Sequence, residues 1–179
     1  MTQVGSVYGE ALYTLALEEN LSADIQAELS ALEQAFSAEP DFIRLLCSAS
    51  LSVQERCQIL DDSFRGKIHG YVLNFLKILT EKGYMRHFTD CCKAYEESFN
   101  RDNGILPVTA ITAVSLNPAQ AAKLTAKLCA MTGKQVKLQN RVDPSVLGGV
   151  RLDYDGKRLD DTVSNRLDAV RRVLRNTVL

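Results

Sequence analysis

The chain has 179 residues, of which 46% are hydrophobic and 24% charged, and its formal net charge at pH 7 is -1. This composition is typical of a soluble folded protein of one or two small domains and excludes a disordered chain. No stretch approaches the roughly 18 consecutive apolar residues of a membrane-spanning helix, and residues 1–6 lack the features of a secretory signal, so we expect a cytosolic protein.

The charges are distributed unevenly along the chain. Residues 1–104 carry 16 acidic and 9 basic side chains, a balance of -7, whereas residues 105–179 carry 6 acidic and 12 basic ones, a balance of +6. Such a division predicts two modules that face different partners.

The first module has the apolar spacing of helices, in which residues three or four apart share one face. The spacing predicts a bundle of about six antiparallel helices between residues 4 and 101, with no long strand among them. Polar or helix-breaking segments divide the helices at residues 20–22, 39–41, 48–52 and 63–66 and at Gly83.

Two of these predicted helices bear on function. On the first, Tyr8, Leu12 and Leu15 share one face. On the fifth, Ile78 lies beside the predicted core stripe instead of within it, so we expect its side chain to be exposed. The residues of that stripe are Ile68, Val72, Phe75 and Leu79.

The character of the chain changes after the polar turn at residues 101–104. A run rich in β-branched residues follows, and its Pro107 suits the start of a strand or an edge strand. Asn117 as N-cap and Pro118 at the first helical position predict a helix that runs to about residue 131, and Gly133 ends it.

The sequence of the rest of the second module predicts three strands and a last helix. Strands are expected at residues 135–142 and 146–154, and Asp155-Gly156 is a hairpin turn that returns the chain through residues 157–159. Asp161 or Thr162 then caps a helix. The sequence therefore predicts a mainly α protein, with a helical bundle at residues 1–104 and a small α+β domain at residues 105–179. The apolar stripe of the last helix consists of Val163, Leu167, Val170 and Leu174.

The cysteines and histidines do not predict a metal site. There is no C-x-x-C pair, and the chain has only two histidines, His69 and His87. Cys91 and Cys92 allow two interpretations: a redox pair, or a helix in which one thiol packs inward and the other lies near the rim. The five cysteines are Cys47, Cys57, Cys91, Cys92 and Cys129.

The adjacent Gly148 and Gly149 do not form a phosphate-binding loop. A dinucleotide loop needs G-x-G-x-x-G before a helix, and a P-loop needs G-x-x-x-x-G-K-[ST], whereas a predicted strand follows this pair. A missing Cβ permits a close approach of neighbouring backbone or a bulge, so we interpret both glycines as structural.

Catalysis and nucleic-acid binding are both disfavoured. Neither histidine belongs to a recognisable nucleophile motif, and the acidic pairs are typical of helix ends and solvated faces. The last helix is basic, but its charges point in different directions and no aromatic residues accompany them. A basic surface that meets an acidic protein partner is the preferred interpretation. The basic residues are Arg166, Arg171, Arg172 and Arg175.

Residues 134–174, KQVKLQNRVDPSVLGGVRLDYDGKRLDDTVSNRLDAVRRVL, resemble the C-terminal signature of the delta subunit of the rotary (F-type) ATP synthase. That family includes the mitochondrial oligomycin-sensitivity-conferring protein. Its pattern is a lysine-rich strand, a V-D step before paired glycines, an alternating strand, a turn, an aspartate and an amphipathic helix. The residues that match it are Val142, Asp143, Gly148, Gly149, Asp160 and Leu167.

The resemblance extends over nearly the whole chain. Residues 8–12 are similar to the Y-A-x-A-L opening of the family's first helix, residues 74–79 to its fifth helix, and residues 103–120 to the junction between its domains. One departure is Tyr84, which stands where the family tends to have arginine.

The resemblance implies a non-catalytic stator subunit of the proton-translocating ATP synthase, without cofactor or metal. It implies that the helical module binds the N-terminal helix of an alpha subunit in the catalytic head, and that the second module holds the peripheral-stalk (b) subunits. The protein would lie at the cytoplasmic face of the cell membrane, contacting the membrane only through the complex, and would bind no nucleic acid. Alternatives from other classes are a helical adaptor with an unrelated partner and a small enzyme.

The resemblance also selects candidate residues. We expect the partner helix between the first and fifth helices, against Tyr8, Ala11, Leu12, Leu15 and Ile78. We expect the stalk to contact the last helix, with Asp143 and Asp160 in structural roles. The candidate stalk residues are Arg166, Arg171, Arg172 and Arg175.

Overall fold

The computed structural model describes residues 2–48, 50–146, 148–154, 156–162 and 165. The chain forms two compact units, residues 1–99 and 100–179. The predicted fold class, mainly α with a small C-terminal α+β region, is confirmed.

The described part of the first unit contains six helices, and the breaks between them fall at or next to the segments predicted from the sequence. A 3-10 turn at Met85–His87 leads into the sixth. The helices are α1 (Gln3–Glu18), α2 (Ser22–Ala38), α3 (Pro40–Leu46), α4 (Val53–Phe64), α5 (Gly70–Glu81) and α6 (Phe88–Asp102).

Local side-chain chemistry fixes several helix ends. Ser52 and Glu55 form a reciprocal capping box at the start of α4. The predicted fifth helix begins later than expected: α5 starts at Gly70, and His69 is its N-cap. Ile68 therefore precedes the helix, although its half-buried side chain still packs against the core. Both carboxylate oxygens of Glu28 on α2 accept a hydrogen bond from the backbone N–H of His69, at 2.9 and 3.1 Å.

An aromatic cluster lies at the centre of the bundle. The ring of Phe36 lies 5.0 Å from that of Phe88, 5.6 Å from Phe42 and 6.1 Å from Phe64. Edge and stacked contacts of this kind add stabilisation beyond simple burial. The cluster joins four helices, α2, α3, α4 and α6, into one core.

The structure corrects the expectation for Cys91 and Cys92. Both thiols are buried, with exposures of 1% and 6%, so the prediction that one lies near the rim is wrong. Burial raises the pKa of Cys91 to about 11 and raises that of Cys92 as well. The reactive species of cysteine is the thiolate, so burial makes both residues inert packing groups.

The second unit contains a four-stranded sheet and the helix α7 (Pro118–Thr132). The strand order is β2-β1-β3-β4, with β1 parallel to β2 and the other two pairs antiparallel. Even-numbered positions of β1 face α7 and form the small core with Leu128 and Leu152. The strands are β1 (Ile105–Thr112), β2 (Gln135–Val142), β3 (Gly149–Tyr154) and β4 (Lys157–Thr162).

Pro107 is the third residue of β1, and the pairing of β1 with β3 begins only at Val108, so the strand is locally an edge at the proline, as the sequence predicts. Two other expectations for this unit are corrected. Val146, expected in a strand, is buried in a 3-10 turn at Pro144–Val146. The returning strand β4 continues to Thr162, three residues beyond the predicted Leu159.

Candidate partner-binding site

A cavity of about 410 Å³ lies between α1 and α5. The structure brings all five groove residues expected from the sequence together in its lining. Three further residues of α5 complete the walls. The lining consists of Tyr8, Ala11, Leu12, Leu15, Tyr71, Asn74, Phe75 and Ile78.

Helical periodicity places these side chains in two parallel rows. On each helix the lining residues occupy positions i, i+3, i+4 and i+7, which share one face. Leu12 and Phe75, with exposures of 5% and 6%, form the floor, whereas Ile78 is 44% exposed at the rim, as its place beside the core stripe predicts. The short side chain of Ala11 lies between the larger ones on α1. The result is an apolar groove, to which we refer as the α1/α5 groove.

Tyr84 contacts Tyr8, one of the residues that line the α1/α5 groove. Its ring lies 5.8 Å from that of Tyr8, at an interplanar angle of 60°. The ring of His87 lies 6.4 Å from that of Tyr84. Tyr84 therefore makes an aromatic contact that helps to position Tyr8.

Sequence reasoning missed Tyr71, Asn74 and Phe75 as lining residues. The signal was present, because these residues lie seven, four and three positions before Ile78 and so share its helical face. Phe75 was assigned to the core stripe, and its small exposed fraction shows that it serves both the core and the floor of the groove.

The lining chemistry favours binding over proton or metal chemistry. The lining contains no acid, base or thiol, only aliphatic and aromatic side chains, two phenols and one amide. Among the described residues there is also no group of three or more potential metal ligands.

Two aspartates of the second unit hold backbone turns. The Asp143 carboxylate accepts hydrogen bonds from the hydroxyl and the backbone N–H of Ser145, at 2.6 and 3.0 Å. Asp160 accepts the same pair of bonds from Thr162, also at 2.6 and 3.0 Å. These bonds favour the ionised form, and they lower the pKa of both carboxyls.

The paired glycines have a backbone role at the start of β3. Gly149 has a φ of 84°, a conformation that side chains with a Cβ disfavour. The backbone N–H of Gly148 donates to the carbonyl of Val146 at 2.7 Å. A positive φ is therefore the reason that the structure gives for glycine at position 149.

The four candidate stalk residues, Arg166, Arg171, Arg172 and Arg175, lie outside the described residues, as does the predicted last helix. At its expected start, the backbone N–H of Asn165 donates to the hydroxyl of Thr162 at 3.3 Å. This is the contact of an N-cap, and of the two alternatives it favours Thr162.

The fold and the groove together define a class of protein: a mainly α chain of two compact units whose first unit presents an apolar groove between two helices. The chain belongs to the ATP synthase delta (OSCP) subunit family, whose model matches residues 4–174. The family predicted from the sequence is thereby confirmed, and with it the assignment as a subunit of the ATP synthase.

Individual relatives and a solved structure are consistent with this family assignment. The ATP synthase subunit delta of Alkaliphilus oremlandii (strain OhILAs) is 33% identical over 171 residues, which cover 96% of this chain and 95% of the relative. That of Clostridioides difficile (strain 630) is 29% identical over 176 residues, which cover 98% and 97%. A chain in the cryo-EM structure of the Toxoplasma gondii mitochondrial ATP synthase hexamer matches the fold with a TM-score of 0.77 and 20% identity, covering 97% of this chain and 98% of that one.

None of the described helices combines the length and the apolar character needed to cross a bilayer.

Proposed function

We propose that this protein is a non-catalytic stator subunit that joins the catalytic head of the ATP synthase to the peripheral stalk. Torque on the central shaft would otherwise turn the head with the shaft, so a static connection is required for rotary synthesis. The observation that carries the proposal is the α1/α5 groove in a chain of this family. Such a connection requires firm interfaces and no cofactor.

The partner assigned to the groove is the N-terminal helix of an alpha subunit. An amphipathic helix binds by placing apolar residues at i, i+3, i+4 and i+7 into a groove of this kind. The exposed Ile78 and the small Ala11 suit such a partner, because one offers apolar area and the other allows the helices to approach closely. The -7 balance of residues 1–104 favours a helix with basic flanks.

The second module, residues 105–179, is assigned to the stalk (b) subunits. Its balance of +6 suits the charged helices of a stalk, with apolar packing against the last helix providing affinity. Through these contacts the protein would lie at the cytoplasmic face of the cell membrane, attached to it only through the complex. Arg166, Arg171, Arg172 and Arg175 would set orientation and association rate.

Groove substitutions test the head contact. Tyr8→Ala and Ile78→Asp, alone and together, should weaken binding of a peptide from the N-terminus of the alpha subunit, because both remove apolar contact area from the groove. Isothermal calorimetry with the full chain measures the dissociation constant. Leu45→Asp is the matched control, since Leu45 has a similar exposure of 42% but does not line the groove. Unchanged affinity in a correctly folded double variant would exclude the groove.

A charge reversal tests the stalk contact. Arg172→Glu should slow association with a soluble stalk dimer and reduce its dependence on salt, while changing the dissociation rate little, because exposed charges act mainly on the encounter. Surface plasmon resonance at low and high salt measures both rates. Identical on-rates for the variant and the original chain at both salt concentrations would remove this residue from the interface.

A further inference from the structure

One polar side chain interrupts the apolar wall of the α1/α5 groove. Asn74 lies between Tyr71 and Ile78 on α5, and it carries the only amide among the eight lining residues. Its side chain is exposed, while Val72, Leu76 and Leu79 on the opposite side of α5 are fully buried. Asn74 is therefore not required to build the bundle.

The Asn74 amide is available to a partner. Within the described part of the chain it takes part in no hydrogen bond or ion pair, so water solvates it in the free protein. This differs from Asn140, whose amide is fully engaged inside the second unit. A helix that docks in the groove removes water from Asn74 without giving it a partner from its own chain.

Burial of an unpartnered amide opposes binding, and a matching polar group on the docked helix removes that cost. Since the amide both donates and accepts, its complement is another amide or a hydroxyl. A carboxylate only accepts, and it would enter a module whose balance is already -7. The partner helix must therefore carry one neutral polar residue within its apolar stripe.

We infer that Asn74 is a specificity-determining residue of the groove: it fixes the register of the docked helix by pairing with one Asn, Gln, Ser or Thr side chain on the apolar stripe of that helix. The inference rests on the proposed function of the groove and extends it to the chemistry of the partner. Helix pairs with an otherwise apolar interface use a single polar residue in this way to select one register at some cost in affinity.

The test is a double-mutant cycle between the full-length chain and the N-terminal peptide of the alpha subunit. Asn74→Leu is combined with peptides in which each neutral polar residue on the apolar stripe is replaced in turn by leucine. Asn74→Leu should weaken binding of the unmodified peptide roughly tenfold, because it leaves one polar group buried without a partner. A single peptide substitution should then restore affinity to Asn74→Leu while weakening binding to the original chain. Gln34→Leu, at an exposed position on α2, is the matched control and should bind like the original chain.

Two results would overturn the inference, and they are distinguishable. If Asn74→Leu binds the unmodified peptide as tightly as the original chain or more tightly, Asn74 acts as a spacer only and the groove keeps its proposed function. If the original chain does not bind the peptide at all, the proposed function of the groove fails and the inference fails with it. Circular dichroism of each variant checks that the helices are retained.

Discussion

Gly9 determines how closely α1 and α6 approach each other. A Cβ at this position would lie 2.7 Å from the Cβ of Ala94 and closer still to the backbone carbonyl of Cys91. Gly5, one turn earlier, is in similarly close contact with Asp90, since a Cβ there would lie 2.5 Å from the Cβ of that residue. The two glycines thus allow the backbones of α1 and α6 to approach each other closely. The family pattern quoted for the first helix did not indicate this contact, because it has alanine at the position of Gly9.

Replacing Gly9 by alanine should lower the free energy of unfolding of the first unit by about 1–3 kcal/mol, because the backbone contacts around the added methyl group leave it no space. Gly70→Ala is the control, since a Cβ at that position has no neighbour within 4 Å. The control should leave the free energy of unfolding unchanged or raise it by up to about 1 kcal/mol. Urea titration followed by circular dichroism measures both. Equal free energies of unfolding for the two variants would show that the close contact at Gly9 does not oppose an added methyl group.

Asp90 should make the first unit dependent on pH. Its carboxylate accepts hydrogen bonds from the hydroxyl of Thr2 at 2.7 Å and from the backbone N–H of Thr2 at 3.1 Å, and these lower the pKa of Asp90. A carboxyl with a depressed pKa stabilises the fold above its ordinary pKa of about 4 and loses that contribution as the pH falls. Asp90→Asn should therefore be less stable than the original chain at pH 7, with the difference shrinking as the pH falls below about 4.

Thermal unfolding at a series of pH values measures this difference. Glu97→Gln is a control on the same helix, because Glu97 is exposed. If the difference between Asp90→Asn and the original chain is the same at pH 7 and at pH 3, the hydrogen bonds to Thr2 do not account for it.

Residue roles were predictable from the sequence where one helical face decides them. The exposure of Ile78 follows from its angle relative to the core stripe, and the structure agrees. The burial of both Cys91 and Cys92 did not follow, because adjacent residues on a helix differ by about 100° and only packing against several neighbouring helices covers both. The role of the Asn74 amide was not predicted, because the exposure of a side chain depends on which face of its helix the neighbouring helices leave uncovered.

At the level of elements, Asn140 joins three segments of the second unit. Its side-chain oxygen accepts a hydrogen bond from the backbone N–H of Leu116 at 2.9 Å, and its amide nitrogen donates to the carbonyl of Ala110 at 3.0 Å and to the hydroxyl of Thr112 at 2.9 Å. The side chain thus ties β2 to the end of β1 and to the segment that leads into α7. One amide satisfies three groups of the β1–α7 connection.

Asn140→Ala should lower the free energy of unfolding of the second unit by about 2 kcal/mol, because these three groups lose their partner in a half-buried location. Gln139→Ala, at the exposed neighbouring position of the same strand, should change it by less than about 0.5 kcal/mol. Hydrogen exchange at the backbone N–H of Leu116 provides a local readout and should become faster in Asn140→Ala only. Protection retained at Leu116 would contradict the role assigned to this side chain.

Element boundaries were predictable where the signal is local. The Asn117 cap, Pro118 and the left-handed Gly133 define both ends of α7, and the structure confirms them. The central place of β1 in the sheet was not predictable in this way, because strand order depends on pairings between residues far apart in the chain. Val146 was assigned to a strand because its apolar character suits one. The Asp143 carboxylate instead closes a turn around Ser145 and bends the backbone away from the extended conformation.

At the scale of the whole molecule, the chain forms two compact units whose sequences differ in charge. The boundary between the two units falls after Phe99. Helix α6 continues to Asp102 and so extends past this boundary. Only two residues, 103 and 104, lie between the end of α6 and the start of β1. Among the described residues, each unit has its own hydrophobic core.

A fragment of residues 1–102 should fold alone and bind the alpha-subunit peptide with the affinity of the full chain. The reason is that both walls of the α1/α5 groove and the core beneath them belong to the first unit. We expect a single cooperative urea transition followed by circular dichroism, and a dissociation constant within about twofold of that of the full chain, since no lining residue is removed. The same fragment with Tyr8→Ala controls for binding outside the groove and should lose affinity as the full-length variant does. A broad, non-cooperative transition would contradict independent folding, whereas a cooperative fragment that no longer binds the peptide would show that residues beyond 102 complete the binding site.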